Sequence, residues 1–243
     1  MNPIASKNSW LIAPISFALG IAALIIVWAT LAPQTCEMFF DNNGCSPFEL
    51  MTLPLFALVV PLVWLCPPVG GSAWRKAGWS SIYSLLAMMA LVREQDWHKQ
   101  LFAHIWPEIA SSFRGTVFKM RFIKADNIEL MPKIFVVCFF ILFFAAVLIP
   151  LIRYFKPLFK GFFKLDPVAW SMAFFGISGV MVQVFDRLPS KLRKAGCELS
   201  ESTDALFTAL EEGGEMLLAL LALLAIVQAY FKVNCQVKSN CGQ

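Results

Sequence analysis

Ile134–Ile152, IFVVCFFILFFAAVLIPLI, runs from Lys133 to Arg153 without one charged side chain. A helix crosses a hydrocarbon core about 30 Å thick with roughly 20 apolar residues, each rising about 1.5 Å. This stretch has that length and reads as a membrane span. No water reaches the acyl core, so every backbone N–H and C=O must be satisfied within the segment, and for such a run that means a helix.

Working outward, five more uncharged runs occur: Asn8–Cys36, Leu50–Trp74, Ala77–Val92, Pro167–Phe185 and Met216–Phe231. They predict an all-α integral membrane protein, a six-transmembrane-helix bundle with spans at about 10–31, 50–67, 77–96, 134–152, 167–186 and 212–231. Residues 1–243 form a single membrane domain with one longer extramembrane loop, 99–133, and no internal repeat. Composition agrees. Hydrophobic residues make up 58% of the chain and charged residues 15%, whereas soluble domains carry about 25% charge. The net charge of +4 is spread over short loops rather than gathered in a basic stripe among aromatics, which excludes nucleic acid as a partner. Neither a phosphate-binding P-loop nor a GxGxxG turn occurs. Lys7 precedes the first run, but that run exceeds a signal-peptide core and Pro33 follows the only small-residue cleavage point, Ala32, so an uncleaved anchor is expected.

Orientation rests on the first loop. Ala32–Glu49 has no Lys or Arg but carries Glu37, Asp41 and Glu49, and it holds Cys36 and Cys45 at a spacing that allows a small disulfide in an oxidising compartment. Both features place it outside, with both termini in the cytoplasm. The charge rule alone does not decide, because loops 93–133 and 186–215 would then lie outside with more than half of the 20 lysines and arginines. Seven cysteines leave at least one thiol unpaired. Cys66 and Cys138 read as core residues, and the set builds no metal site.

Spans three and six are the short ones. Each reaches full length only by drawing in acids: Arg93–Asp96 and onward to His98 for span three, Glu211–Glu215 for span six. With Asp186 at the end of span five, three helix ends bring acids to one face, where lone carboxylates must pair, meet water or hold a cation. Ser80, Ser84, Ala87, Leu91, Glu94 and His98 share a helical stripe on span three. Glu211, Glu215, Leu218, Ala222 and Ala225 do so on span six, and Gly176, Gly179, Gln183 and Asp186 on span five. The expectation is that spans three, five and six pack beneath an acidic cup. Glu94, His98, Glu211, Glu215 and Asp186 would be metal ligands, a mixed oxygen and nitrogen set suiting a divalent metal such as Mg, Mn, Fe or Zn. Glu94, Asp96, His98 and Glu215 would be the catalytic groups, as metal-held or acid–base residues. The same acids also fit purely structural roles as ion pairs and as acids at a helix start. His104, beside Trp106 and Pro107, reads as interfacial.

Between Lys99 and Lys133, Phe118–Phe122 alternates apolar and basic residues with period two, and Lys124–Asn127 looks like a turn, so a short hairpin or an extended segment on the membrane is expected. Arg114, Lys119, Arg121 and Lys124 would then sit near lipid headgroup phosphates, as a platform or as plain anchoring. Arg153–Lys164, with four phenylalanines, reads as a cytoplasmic anchoring loop.

Leu91–His98, LVREQDWH, resembles the Arg-Glu-x-Asp-x-His helix end of a family of bacterial multi-span inner-membrane proteins, and Glu211–Glu215, EEGGE, is similar to theirs as well. The resemblance spans about a fifth of the chain and implies the bacterial inner membrane but no activity. The zinc pattern of membrane hydrolases related to alkaline ceramidases needs three histidines with an HxxxH pair, and only His98 and His104 are present. Three functions remain open. One is an enzyme acting on lipid or lipid-linked substrate at the extracytoplasmic face. Another is a small transporter or proton-coupled carrier using the same acids as a relay. The third is a non-catalytic subunit, either as a homo-oligomer or in a complex with another membrane protein. Membrane lipids are partners in all three.

Overall fold

A computed structural model describes residues 8–41, 46–68, 72–94, 97–113, 120–126 and 128–241, leaving aside the side chains at 49, 93, 94, 113, 120, 121 and 235–241. The described residues are mostly helical and include no strand. The helices are α1 (Ile12–Thr30), α2 (Pro33–Phe40), α3 (Pro47–Leu65), α4 (Ala73–Glu94), α5 (Trp97–Ile105), α6 (Pro107–Phe113), α7 (Met120–Ile123), α8 (Leu130–Phe163), α9 (Pro167–Lys194) and α10 (Glu201–Cys241). By length and hydropathy four of them can cross a membrane: Ser9–Thr30, Leu130–Phe163, Pro167–Lys194 and Glu201–Asn234. The protein is therefore a helical membrane protein. The apolar part of α3, Leu50–Leu65, is shorter.

Helix ends follow local chemistry. Pro33 cannot continue α1 and forces Ala32 into an extended conformation, then starts α2 at its first helical position. Between α9 and α10, Gly196 takes a left-handed φ of 85°. Cys197 N–H closes back on the Leu192 carbonyl at 3.0 Å and Gly196 N–H on that of Arg193 at 3.1 Å, a glycine-terminated helix end. Ser200 then caps α10, its Oγ accepting from Thr203 N–H at 3.2 Å. Between α8 and α9, Asp166 accepts from Val168 N–H at 3.0 Å with Pro167 next in line.

The bundle is organised by α10, which packs against α9, α3, α1 and α2. α10 runs antiparallel to α1 and α9. Leu24 and Leu217 meet Gly213 and Gly20 across the first pair, and Ser171 and Ser178 meet Gln228 and Gly214 across the second. α1 and α9 run parallel, joined by Trp10–Trp170 and Phe17–Phe174 ring contacts at 4.8 and 5.4 Å. α3 and α4 form an antiparallel pair: Ser80 Oγ donates to the Val63 carbonyl at 2.7 Å and Trp64 Nε1 to Ser84 Oγ at 3.0 Å. α8 flanks α4 and α9.

Three sequence expectations change here. α8, α9 and α10 are 34, 28 and 41 residues long and run well past the expected spans. Arg153–Phe163 is accordingly helix rather than loop, since Pro150 and Pro157 sit inside α8 without ending it. The described residues of loop 99–133 include three short helices. The part of the alternating segment that is described, Met120–Ile123, is helical rather than extended. Phe122 is fully buried against Phe102 and Val136, so side-chain burial by α5 and α8 outweighs the alternation, which finds no partner strand among the described residues. Finally, the described contacts of span three fall mainly on α3, and it reaches span six through an apolar cluster. The small polar stripe of α4 is spent on α3, where Ser80 and Ser84 bond Val63 and Trp64, and Ala87 clusters with Val59, Val63 and Ile226.

Candidate functional site: a buried carboxylate on the central helix

Glu215 is 6% exposed. It follows Gly213 and Gly214, whose missing side chains bring neighbouring helices onto α10. A Cβ on Gly213 would stand 2.3 Å from Leu24 Cδ2, and one on Gly214 would stand 2.7 Å from Val182 Cγ2 and 2.8 Å from Met181 Cε. Small residues permit such approach in lipid, where packing rather than the hydrophobic effect holds helices together. Ser178 Oγ donates to the Gly214 carbonyl at 2.9 Å and ties α9 to α10 next to the carboxylate.

Asp204, Thr208, Glu211 and Glu215 recur at steps of four and three on one face of α10. The first three are half-buried and the last is buried. At the N-terminal end of this face, Arg193 Nη2 bonds Asp204 Oδ2 at 2.5 Å, and Asp204 Oδ1 is buried with no hydrogen-bond partner among the described residues. Past Glu215 the face turns apolar through Leu218, Ala222 and Ala225. Polar groups return only at Gln228, whose Oε1 accepts from Ser171 Oγ at 2.7 Å and whose Nε2 donates to the Ser9 carbonyl at 3.4 Å. The site is thus a polar stripe on α10 that runs from Asp204 to Glu215.

The other expected site residues sit elsewhere. Asp186 is exposed on α9, because the face α9 turns inward is Ala169, Ser171, Ser178 and Val182, one step round from Gly176, Gln183 and Asp186. Glu211 is half-buried on the track. His98 lies on α5, its Nδ1–H donating to the Val92 carbonyl at 3.1 Å and its ring stacked on Phe139 of α8 at 5.8 Å. Asp96 and the side chain of Glu94 lie outside the described residues. Among the described residues no three His, Cys, Asp or Glu side chains stand close enough to hold a metal ion. The divalent-metal reading therefore has no geometric support among the described residues, which leave out the Glu94 side chain.

Of the expected headgroup residues, Lys124 is exposed in the turn after α7, while Arg114, Lys119 and the side chain of Arg121 lie outside the described residues. Of the expected disulfide pair, Cys36 is a free thiol buried against α10, its Sγ 3.9 Å from the Ala205 carbonyl, and Cys45 lies outside the described residues. Burial, and then the neighbouring Glu37 carboxylate, push the Cys36 thiol above its ordinary range.

Sequence reasoning found Glu215 and Glu211 but passed over Ser171, Ser178 and Gln228. Serines and a glutamine inside apolar runs were the available signal, since polar side chains in a span turn toward neighbouring helices. No protein-family model, curated protein or solved structure matches the chain.

Proposed function

We propose that the protein is a six-span inner-membrane enzyme acting on lipid or lipid-linked substrate. Glu215 is its acid–base group and Asp204, Thr208 and Glu211 form its proton-access track. The observation that carries this reading is Glu215 itself, a buried carboxylate on α10 one residue past the Gly214 contact with α9. Ionisable groups inside a bundle are costly and mark working sites. A carboxyl screened from bulk water and linked to it by one polar stripe can hand a proton to a substrate and take it back without exchanging it freely. The apolar stretch Leu218–Ala225 argues against a carrier, which needs polar groups continuing to the other side.

Glu215→Gln keeps the shape and a polar head while removing the acid. Cells expressing it in place of the native chain are expected to accumulate one lipid species relative to wild type, with the purified variant eluting as a folded monodisperse particle. Identical lipid profiles from folded variant and wild type would overturn the enzyme reading.

Six crossings are supported by the α3–α4 antiparallel pair, which lies along α10 through Val59, Val63 and Ile226. In that arrangement, with both termini cytoplasmic, the α9–α10 turn is outside. Cys197 is an exposed free thiol there. A membrane-impermeant maleimide applied to intact cells at pH 8 is expected to label Cys197, a signal that Cys197→Ser removes, while Cys36 stays unmodified. Burial shields Cys36, and its raised pKa keeps it as the unreactive thiol at that pH. Cys197 labelled only after permeabilisation would reverse the orientation.

A further inference from the structure

The α5 helix stands against a part of α8 that belongs to the membrane. His98 stacks on Phe139 at 5.8 Å, and Phe102 and Trp106 pack on Phe135 at 6.2 and 5.5 Å. Phe135 and Phe139 both lie in the uncharged run 134–152 of a helix long and apolar enough to cross. The inner face of α5 therefore sits at the level of acyl chains or of their boundary with the headgroups. Its outer face is apolar too. Trp97, Leu101 and Ile105, four residues apart and so stacked along one stripe, are 48%, 51% and 46% exposed. Gln100 and His104 form a polar, exposed flank beside that stripe. At the same end of α8, Leu130, Met131 and Ile134 are also exposed, so α5 adds an apolar surface at a level where the first turns of α8 already show one.

We infer that α5 is a half-embedded interfacial helix whose Trp97–Leu101–Ile105 face contacts the lipid of the leaflet at which α4 ends. An amphipathic helix in the interface buries its apolar face about 5–10 Å into the boundary between headgroups and acyl chains. Trp97 suits that depth, with an apolar body and one polar N–H. The Gln100–His104 flank then points to the headgroups, and α6 carries Glu108, Ser111 and Ser112, all exposed, on toward water. This inference concerns the outer surface of α5 and does not depend on the role of Glu215.

The test places a nitroxide at Leu101→Cys in a chain whose native cysteines are alanine, reconstituted in nanodiscs of phosphatidylethanolamine and phosphatidylglycerol. Ser111→Cys serves as the aqueous reference and Val180→Cys as the lipid reference. At 101, oxygen collisions are expected to exceed those of a water-soluble nickel chelate, as at 180, with the order reversed at 111. Should removing the cysteines prevent folding, hydroxyl-radical footprinting of the unsubstituted chain in the same nanodiscs reads the same surface. There Trp97 is expected to oxidise more slowly than His104, despite the greater intrinsic reactivity of indole. Chelate access at 101 equal to that at 111, or Trp97 oxidising faster than His104, would overturn the inference. Dipolar broadening between labels at 101 would do so as well, by showing a second copy on that face.

Discussion

Gly213→Ile is expected to force α1 away from α10 and to cost about 1–3 kcal/mol or more, the range for overpacking a filled interior. Gly213 and Gly20 are the two depressions of one crossing. Leu24 of α1 fills the first, and Leu217 of α10 presses on Gly20, where a Cβ would stand 2.3 Å from its Cδ2. The same crossing holds Phe17, Ile21 and Trp28 against the core of Leu24, Ala205, Ala209 and Leu217, and Trp28 Nε1 donates to the Ser202 carbonyl at 2.8 Å. A branched side chain at 213 leaves Leu24 no room, so α1 must tilt and the Trp28 bond is lost with it. Because the clashing atoms are the far end of one leucine, Leu24→Ala should recover much of the loss from Gly213→Ala. The double variant would then be more stable than the sum of the two singles predicts. Thermal unfolding of the four proteins in detergent, followed by size-exclusion elution, measures this directly. Strict additivity would mean that Leu24 is not the side chain seated on Gly213. Gly176→Leu is the control. Nothing lies within 4 Å of a Cβ there, so no comparable loss is expected.

Gly161→Leu should be as damaging, for a stiffer reason. A Cβ at 161 would lie 2.9 Å from Ala169 Cβ and 3.2 Å from Asp166 Cβ, atoms fixed to the backbone that no rotamer change can move. The glycine sits where α8 turns into α9. Its carbonyl accepts from Lys164 N–H at 3.0 Å and Asp166 N–H at 2.9 Å, and Leu165 follows with a left-handed φ of 55°. Opening this corner would undo the Asp166–Lys232 ion pair that links the start of α9 to α10, and the stack of Phe162 on Trp170 at 4.6 Å. The expected result is a loss in the same range of about 1–3 kcal/mol or beyond, with Gly161→Ala already measurable. Trp170 would also lose its bond to the Phe162 carbonyl, now 3.0 Å, and shift its emission. Unchanged unfolding and emission in Gly161→Ala would show that the corner has slack this geometry does not contain.

Much of the architecture could be read in the chain because the bilayer sets a length. The charge-free runs at 134–152 and 167–185 become α8 and α9 as expected. What exceeded expectation was how far these helices continue, since charges at Arg153, Lys156 and Asp186 end a hydrophobic run but do not end a helix. Helix breaks came instead from Pro33, from Gly196 and from the Asp166–Pro167 start signal. The candidate site was legible in half. Glu211 and Glu215 were found because acids beside a short span are conspicuous, and they lie on the central helix. That span three packs mainly on α3 was not legible, because a stripe of serines and alanines says that a helix packs closely without saying on what.

From its amino acids alone, the chain is bound to be helical and bound to lipid. Backbone groups in hydrocarbon have no partner outside their own helix, and 58% apolar residues leave no other solvent. Which helix meets which was decided only in three dimensions. Ser80 and Ser84 could have faced a carboxylate and instead bond α3, while Gly213 and Gly214 could have faced lipid and instead receive Leu24 and Val182. In a membrane every span is apolar enough for any neighbour, so hydrophobicity cannot choose between them. The choice falls to the fit of individual side chains into individual gaps, and that fit exists only once the bundle has formed.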